Sequence, residues 1–202
     1  MKRIIAAIAI MLLITEVAAQ STFDFSVKGG INLCQIDGDQ SGSYNKAGYN
    51  VGANTTFPLG QGNWRMLVEI GVSEKGAYVK GLDRAISLTY IEMPLLLTYN
   101  IGTNDGAVIR LGAGVAPAVL GKARAIESGT ELPEVEQRYK KTDPLPFCAD
   151  LQYRFPSHIG VGVRYYNSLL SVNETKNGAY RIVRKNSGAF NRLLSFCISY
   201  QF

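Results

Sequence analysis

The chain has 202 residues, 47% apolar and 18% charged, with a formal net charge of +5 and a mean hydropathy of +0.03. That length fits one domain, and near-neutral hydropathy excludes a bundle of membrane-spanning helices. The cationic excess is modest and no Lys/Arg cluster is interleaved with aromatics, so nothing points to a nucleic-acid partner.

The amino terminus reads as an export address. Lys2 and Arg3 precede an unbroken apolar run from Ile4 to Ile14, and Val17, Ala18 and Ala19 supply small residues before Gln20. This predicts a secretory signal peptide over 1–19, cleaved after Ala19, and a mature domain over 20–202. The run is too short to span a bilayer as a helix.

Eight segments alternate with period 2 after that point, the signature of strands with one apolar and one polar face. The first, Phe23 to Leu33, sets Phe25, Val27, Ile31 and Leu33 against Asp24, Ser26, Lys28, Gly30 and Asn32. The second, Gly48 to Phe57, sets Tyr49, Val51, Ala53, Thr55 and Phe57 against Asn50, Gly52, Asn54 and Thr56. The third begins at Trp64, with Met66, Val68, Ile70 and Val72 opposed to Arg65, Glu69, Gly71 and Ser73. The fourth, Ile86 to Tyr99, opposes Ile91, Met93, Leu95, Leu97 and Tyr99 to Tyr90 and Glu92.

The fifth, Ala107 to Val119, opposes Ile109, Leu111, Ala113 and Val115 to Arg110, Gly112 and Gly114. In the sixth, Leu145 to Phe155, Leu145, Phe147, Ala149, Leu151 and Tyr153 oppose Cys148, Asp150, Gln152 and Arg154. The seventh, Ile159 to Leu169, alternates Val161, Val163 and Tyr165 with Gly160, Gly162, Arg164 and Tyr166. The eighth runs from Ala189 to Phe202, with Phe190, Leu194, Phe196, Ile198, Tyr200 and Phe202 on one face and Asn191, Ser195, Ser199 and Gln201 on the other. Pro94 and Pro117 fall inside strands, where each removes a ladder hydrogen bond, and bulges are expected there.

Connections near Pro58, Asn104 and Pro156 are short, while those near Asp37, Leu82, Glu131 and Asn177 are expected to be mostly longer and polar. Short turns at one end and long loops at the other fit an outer-membrane barrel with its turns in the periplasm. The expected fold is therefore all-β: an eight-stranded antiparallel up-and-down transmembrane barrel. Tyr49, Trp64, Tyr99, Tyr153, Tyr165 and Tyr200 would lie near its lipid interfaces.

Particular stretches carry a family resemblance. They are Gly29-Gly30-Ile31-Asn32, Tyr90-Ile91-Glu92-Met93-Pro94-Leu95-Leu96-Leu97, Arg110-Leu111-Gly112-Ala113-Gly114, Gly162-Val163-Arg164-Tyr165 and the terminal Phe202. Together they resemble the PorT-like outer-membrane β-barrel family of Bacteroidetes across essentially the whole mature chain. The resemblance implies an outer-membrane location and a terminal aromatic strand, Ile198, Tyr200 and Phe202, like that read by the barrel-insertion machinery. The founding member of that family is associated with protein secretion across the outer membrane.

Eight strands enclose a lumen that side chains fill. Lys28, Arg65, Arg110, Arg154 and Arg164 would meet Asp24, Glu69, Glu92 and Asp150 there, a structural ion-pair lattice rather than a path. No cofactor or metal is indicated: Cys34, Cys148 and Cys197 have no metal spacing and read as small buried side chains. His158, the single histidine, falls in a short turn, away from where an outer-leaflet acyl-hydrolase would need it. Two function classes stay open. One is a structural, anchoring or partner-docking barrel in contact with outer-membrane lipid, its basic loop (Lys176, Arg181, Arg184, Lys185) meeting anionic headgroups. The other is a lipid-active or small-molecule-binding barrel, including a soluble lipocalin-like one. Alternation alone does not say which face is inward.

Overall fold

A computed structural model describes residues 23–37, 44–133, 137–173 and 188–202. The signal-peptide segment and the basic loop around Arg181 lie outside these described residues.

Eight antiparallel strands close into a barrel. They are β1 (Asp24–Asp37), β2 (Lys46–Pro58), β3 (Trp64–Val79), β4 (Arg84–Glu92 continued by Leu95–Gly102), β5 (Val108–Val115 continued by Ala118–Glu127), β6 (Thr142–Asp143 continued by Pro146–Arg154), β7 (Ile159–Ser168) and β8 (Phe190–Gln201). Each strand pairs with its neighbours in sequence, and β1 pairs with β8 from Ser26 opposite Gln201 to Asp37 opposite Phe190. That last ladder closes the sheet and leaves the barrel itself without an edge strand.

Apolar alternation points outward through most of each strand. Ile31, Val51, Ile70, Ile91, Leu111, Leu151, Val161 and Ile198 are exposed, while Asn32, Asn50, Glu69, Arg110, Arg164 and Ser195 are buried inside. This is the reverse of a soluble barrel and overturns the lipocalin-like alternative. Aromatic rings gather at the end where β1 begins and β8 ends: Trp64 packs edge-on to Tyr99 at 5.0 Å, Tyr153 to Phe155 at 4.8 Å and Tyr200 to Phe202 at 5.2 Å. Such rings favour the membrane interface. Tyr49, opposite Ile31, and Tyr165, opposite Leu194, lie towards the other end.

Beyond the belt the phase of the alternation inverts. On β4 the apolar residues Ile86, Leu88 and Tyr90 point inward, whereas Ile91, Met93, Leu95 and Leu97 point outward. The inward set joins Ile36, Ala77, Ala118, Ala125, Val172 and Ala189 in an apolar core that plugs this end of the barrel. Ser87, Thr89, Arg124 and Glu74 take the outer face instead. The inversion marks the membrane boundary: lipid solvates apolar groups below it and water solvates polar groups above it. β3, with 16 residues, exceeds the roughly 9–11 that a tilted strand needs to cross and so projects past the bilayer.

Four expectations need correction. The connection near Leu82 is a single 3₁₀ turn, Lys80–Leu82, rather than a long loop. The fifth strand does not stop at Val119, because β5 runs on to Glu127 and folds back through Thr130–Glu131, so much of the connection expected near Glu131 is strand. Pro94 and Pro117 sit in paired breaks, not bulges. Glu92 faces Ala118 and Leu95 faces Val115, so both strands skip two residues and register is kept, and the Met93 N–H still donates to the Pro117 carbonyl at 2.9 Å. The register shift lies instead at Gly121, between the Tyr90–Leu120 and Thr89–Lys122 pairs. Finally, Phe190 is buried beside Gly188 rather than facing lipid.

Candidate functional site

The lumen is the site the strands build. Inward positions of β1, β3, β6 and β7 deliver Lys28, Glu69, Asp150 and Arg164 to one level. The Arg164 guanidinium donates to both Glu69 carboxylate oxygens at 3.0 and 3.1 Å and to Asp150 Oδ1 at 2.7 Å. Lys28 Nζ lies 2.7 Å from Glu69 Oε1. All four side chains are less than ten per cent exposed. Paired, charge-assisted bonds of this kind offset the cost of removing four charges from water. Gly52 and Gly71 face each other on β2 and β3, where a Cβ on either would lie within 3 Å of a backbone oxygen. That close approach leaves the width of the lumen to the long side chains.

Towards the termini the tier is mixed. Arg65 pairs with Asp24 at 2.9 Å. Arg110 donates to the side-chain oxygens of Asn100 and Gln152, each at 3.2 Å, and Arg154 donates to Gln201. Towards the plugged end, Lys75 pairs with Glu92 at 2.5 Å, its ammonium 3.3 Å from the Tyr166 ring centre and 4.9 Å from that of Tyr90. A cation over a ring face is stabilised by the ring quadrupole. The cavity beside Glu69, Glu92, Arg164 and Tyr166 measures only ≈20 Å³, about the space of one water.

Of the nine lumen residues read from the sequence, Lys28, Glu69, Asp150 and Arg164 converge directly. Arg65 joins Asp24, Arg110 and Arg154 are met by amides rather than carboxylates, and Glu92 turns to Lys75. Lys75 is the residue sequence reasoning missed. Its signal was present: Glu69, Gly71, Ser73 and Lys75 share one parity, and the strand had only to be extended by two residues.

The terminal strand places Ile198, Tyr200 and Phe202 on the outer face, with Ile198 64% exposed. The Phe202 N–H donates to the Phe25 carbonyl at 2.9 Å and the Gln201 N–H to that of His158 at 3.0 Å. His158 thus lies in the turn beside the chain end, its ring 6.3 Å from Tyr200. The three cysteines are buried and unbridged. Among the described residues, no His/Cys/Asp/Glu group is arranged to hold a metal.

An apolar exterior, a polar paired interior and aromatic rings at one rim point to a membrane barrel. The family model described as "Outer membrane protein beta-barrel domain" matches residues 18–174. The chain belongs to that family. No curated protein sequence matches it. Among solved structures, the attachment invasion locus protein Ail of Yersinia pestis is similar, with a TM-score of 0.50 and 13% identity over 90% of this chain and 100% of that one. Neisserial surface protein A is also similar, with a TM-score of 0.49 and 14% identity over 88% and 97%. At such identities the likeness to Ail is one of fold. The barrel is an outer-membrane protein, and its location follows from its family.

Proposed function

We propose that this outer-membrane barrel is a non-conducting anchor of the PorT-like type, which holds a rim of loops at the membrane surface to engage lipid and protein partners. The observation that carries the reading is the Arg164 fork, bound to Glu69 on one side and Asp150 on the other, which crosses the lumen and leaves beside it a cavity of only ≈20 Å³. A filled lumen favours docking over transport. Any part in secretion would then be played by the rim or the turns, as a platform rather than a conduit. The apolar plug of Ile36, Leu88, Ala125 and Val172 supports the same reading.

The reading assigns no catalysis. His158 sits at the end opposite the loops, so it is poorly placed for an outer-leaflet acyl transfer. During assembly, the outward Ile198, Tyr200 and Phe202 would meet the barrel-insertion machinery, and thereafter the belt meets lipid.

The test is topology in intact cells. Cysteine is placed at Gly81, in the turn between β3 and β4, or at Gly62, in the turn between β2 and β3; an added Cβ meets nothing at either. A membrane-impermeant maleimide should label Gly81→Cys in whole cells and Gly62→Cys only after lysis. The opposite pattern would refute the outward rim.

A further inference from the structure

The lumen does not share its carboxylates evenly. Lys28 and Arg164 are held by Glu69, Lys75 by Glu92 and Arg65 by Asp24. Arg110 and Arg154 have no such partner among the described residues. Arg110 donates only to the side-chain oxygens of Asn100 and Gln152, and Arg154 to that of Gln201. Neutral amides satisfy the N–H groups but leave the positive charge uncompensated. Arg110 is 4% exposed, and a buried charge without a counter-charge is costly.

Register brings the two guanidinium groups together. Arg110 faces Gln152 across the β5–β6 ladder, and Arg154 is the next inward residue of β6. Diagonal neighbours of this kind are within reach of long side chains. Of the charges that act on Arg110, Arg154 has the largest effect, followed by Asp24, Asp150 and Arg65. All these arginines belong to one end of the barrel: Asp24 begins β1, Arg154 ends β6, Gln201 ends β8, and Arg65 is the second residue of β3. Arg65 and Asp24, 17% and 27% exposed, line the mouth, and Arg110 lies deeper. Three guanidinium groups thus face the single carboxylate of Asp24, a surplus of two positive charges. Asp150, one tier further in, is taken by Arg164, and Asp105 in the neighbouring turn is bound by Thr103. Gly160 leaves room for the 2.6 Å bond from Gln152 Nε2 to Ser199 Oγ, which holds the Gln152 oxygen towards Arg110.

We propose that Arg110 and Arg154, with Arg65 at the mouth, bind a small dianionic oxyanion of the phosphate class, which enters the lumen at the end where β1 begins. A dianion matches the surplus of two charges. The planar guanidinium fork suits oxyanions because it presents paired N–H groups. Burial of Arg110 admits a small free anion and excludes a phosphate still carried by a membrane lipid. The site is independent of the anchor reading, since it needs no outward rim. Beyond it the Arg164 fork stands across the lumen, so the anion is bound and not passed on.

The experiment uses the mature chain folded in micelles of dodecyl maltoside, a detergent without phosphate, in gluconate buffer. Calorimetric titration with inorganic phosphate should show one saturable site, and sulfate should compete for it. Arg154→Gln should weaken phosphate binding by at least about ten-fold, the scale of one lost hydrogen bond to a charged group. Arg110→Gln combined with Arg154→Gln should abolish it. Arg124→Gln, at the opposite end of the barrel, should leave it unchanged. Should the double variant fail to fold, Arg154→Gln alone still decides, because Arg154 is the less buried of the two.

Absence of saturable binding to the wild type would overturn the proposal, as would equal binding by Arg154→Gln. An equal loss in Arg124→Gln would do the same, by showing attraction to the surface charge at large. Displacement by chloride as effective as that by sulfate would contradict a dianion site. Binding of a short-chain phosphatidic acid in preference to inorganic phosphate would assign the arginines to a lipid head and overturn the free-anion assignment.

Discussion

Arg164 on β7 grips Glu69 on β3 through two parallel bonds of 3.0 and 3.1 Å that span the lumen. The two residues are far apart in the sheet order, so the contact exists only once the barrel has closed. It therefore reports closure as well as contributing to stability.

Removing Glu69 should be costly. Glu69→Ala strands Lys28 and Arg164 in a site where both are buried, and breaking such a pair costs about 3–5 kcal/mol. Urea unfolding in detergent micelles should show a loss of that size. A double-mutant cycle of Glu69 and Arg164 should show coupling above about 0.5 kcal/mol; additive losses would mean that the fork does not act as a unit.

The lipid-facing assignment makes a separate demand. Ile198→Lys places a charge on the outer wall of the last strand, at about 2–4 kcal/mol near the midplane. Folded, heat-modifiable barrel should fall in the outer-membrane fraction. Deleting Phe202 should do the same, because it removes the N–H bond to Phe25 and the ring contacts with Phe25 and Tyr200. Normal yields from both variants would argue against this face being outward.

Closure also depends on one close approach. A Cβ on Gly30 would lie 2.0 Å from the Phe196 carbonyl oxygen, across the β1–β8 seam. Gly30→Ala must push those strands apart, and overpacking of that kind costs about 1–3 kcal/mol. By contrast Gly29→Ala, whose Cβ would meet its nearest neighbour at 3.9 Å, should be tolerated. Equal stability of the two variants, read by the temperature of heat modification, would contradict the tight seam.

Above the membrane, Tyr78 donates its phenol to Asp83 Oδ1 at 2.6 Å. That bond favours the protonated phenol and the nearby carboxylate repels the phenolate, so the Tyr78 pKa is raised above 10.0. The sign follows: whatever the bond contributes is complete below the unfolded value and is lost as pH rises through the folded one. A difference absorbance titration of wild type against Asp83→Asn should show one tyrosine ionising at lower pH in the variant. Identical curves would mean that the pair does not form in solution.

Much of the barrel was legible because a strand in lipid obeys a period of 2 with sharply contrasting faces. Val161, Ile198 and Arg164 could be assigned in this way, relative to one another, without coordinates. What set inward from outward was the aromatic end and the family resemblance. The plugged end was harder to read, for a physical reason. Between Tyr90 and Ile91 the solvent of the outer face changes from water to lipid, and apolar residues change parity. A strand read by apolar phase alone stops or restarts there, which hid the extension of β3 to Val79 and with it Lys75.

Side chains close the lumen from within, and single-channel recording in planar bilayers tests that most directly. The purified barrel should insert without conductance steps, and Arg164→Ala with Glu69→Ala should be the change that admits ions. Discrete, reproducible channel openings from the wild type would contradict the non-conducting anchor.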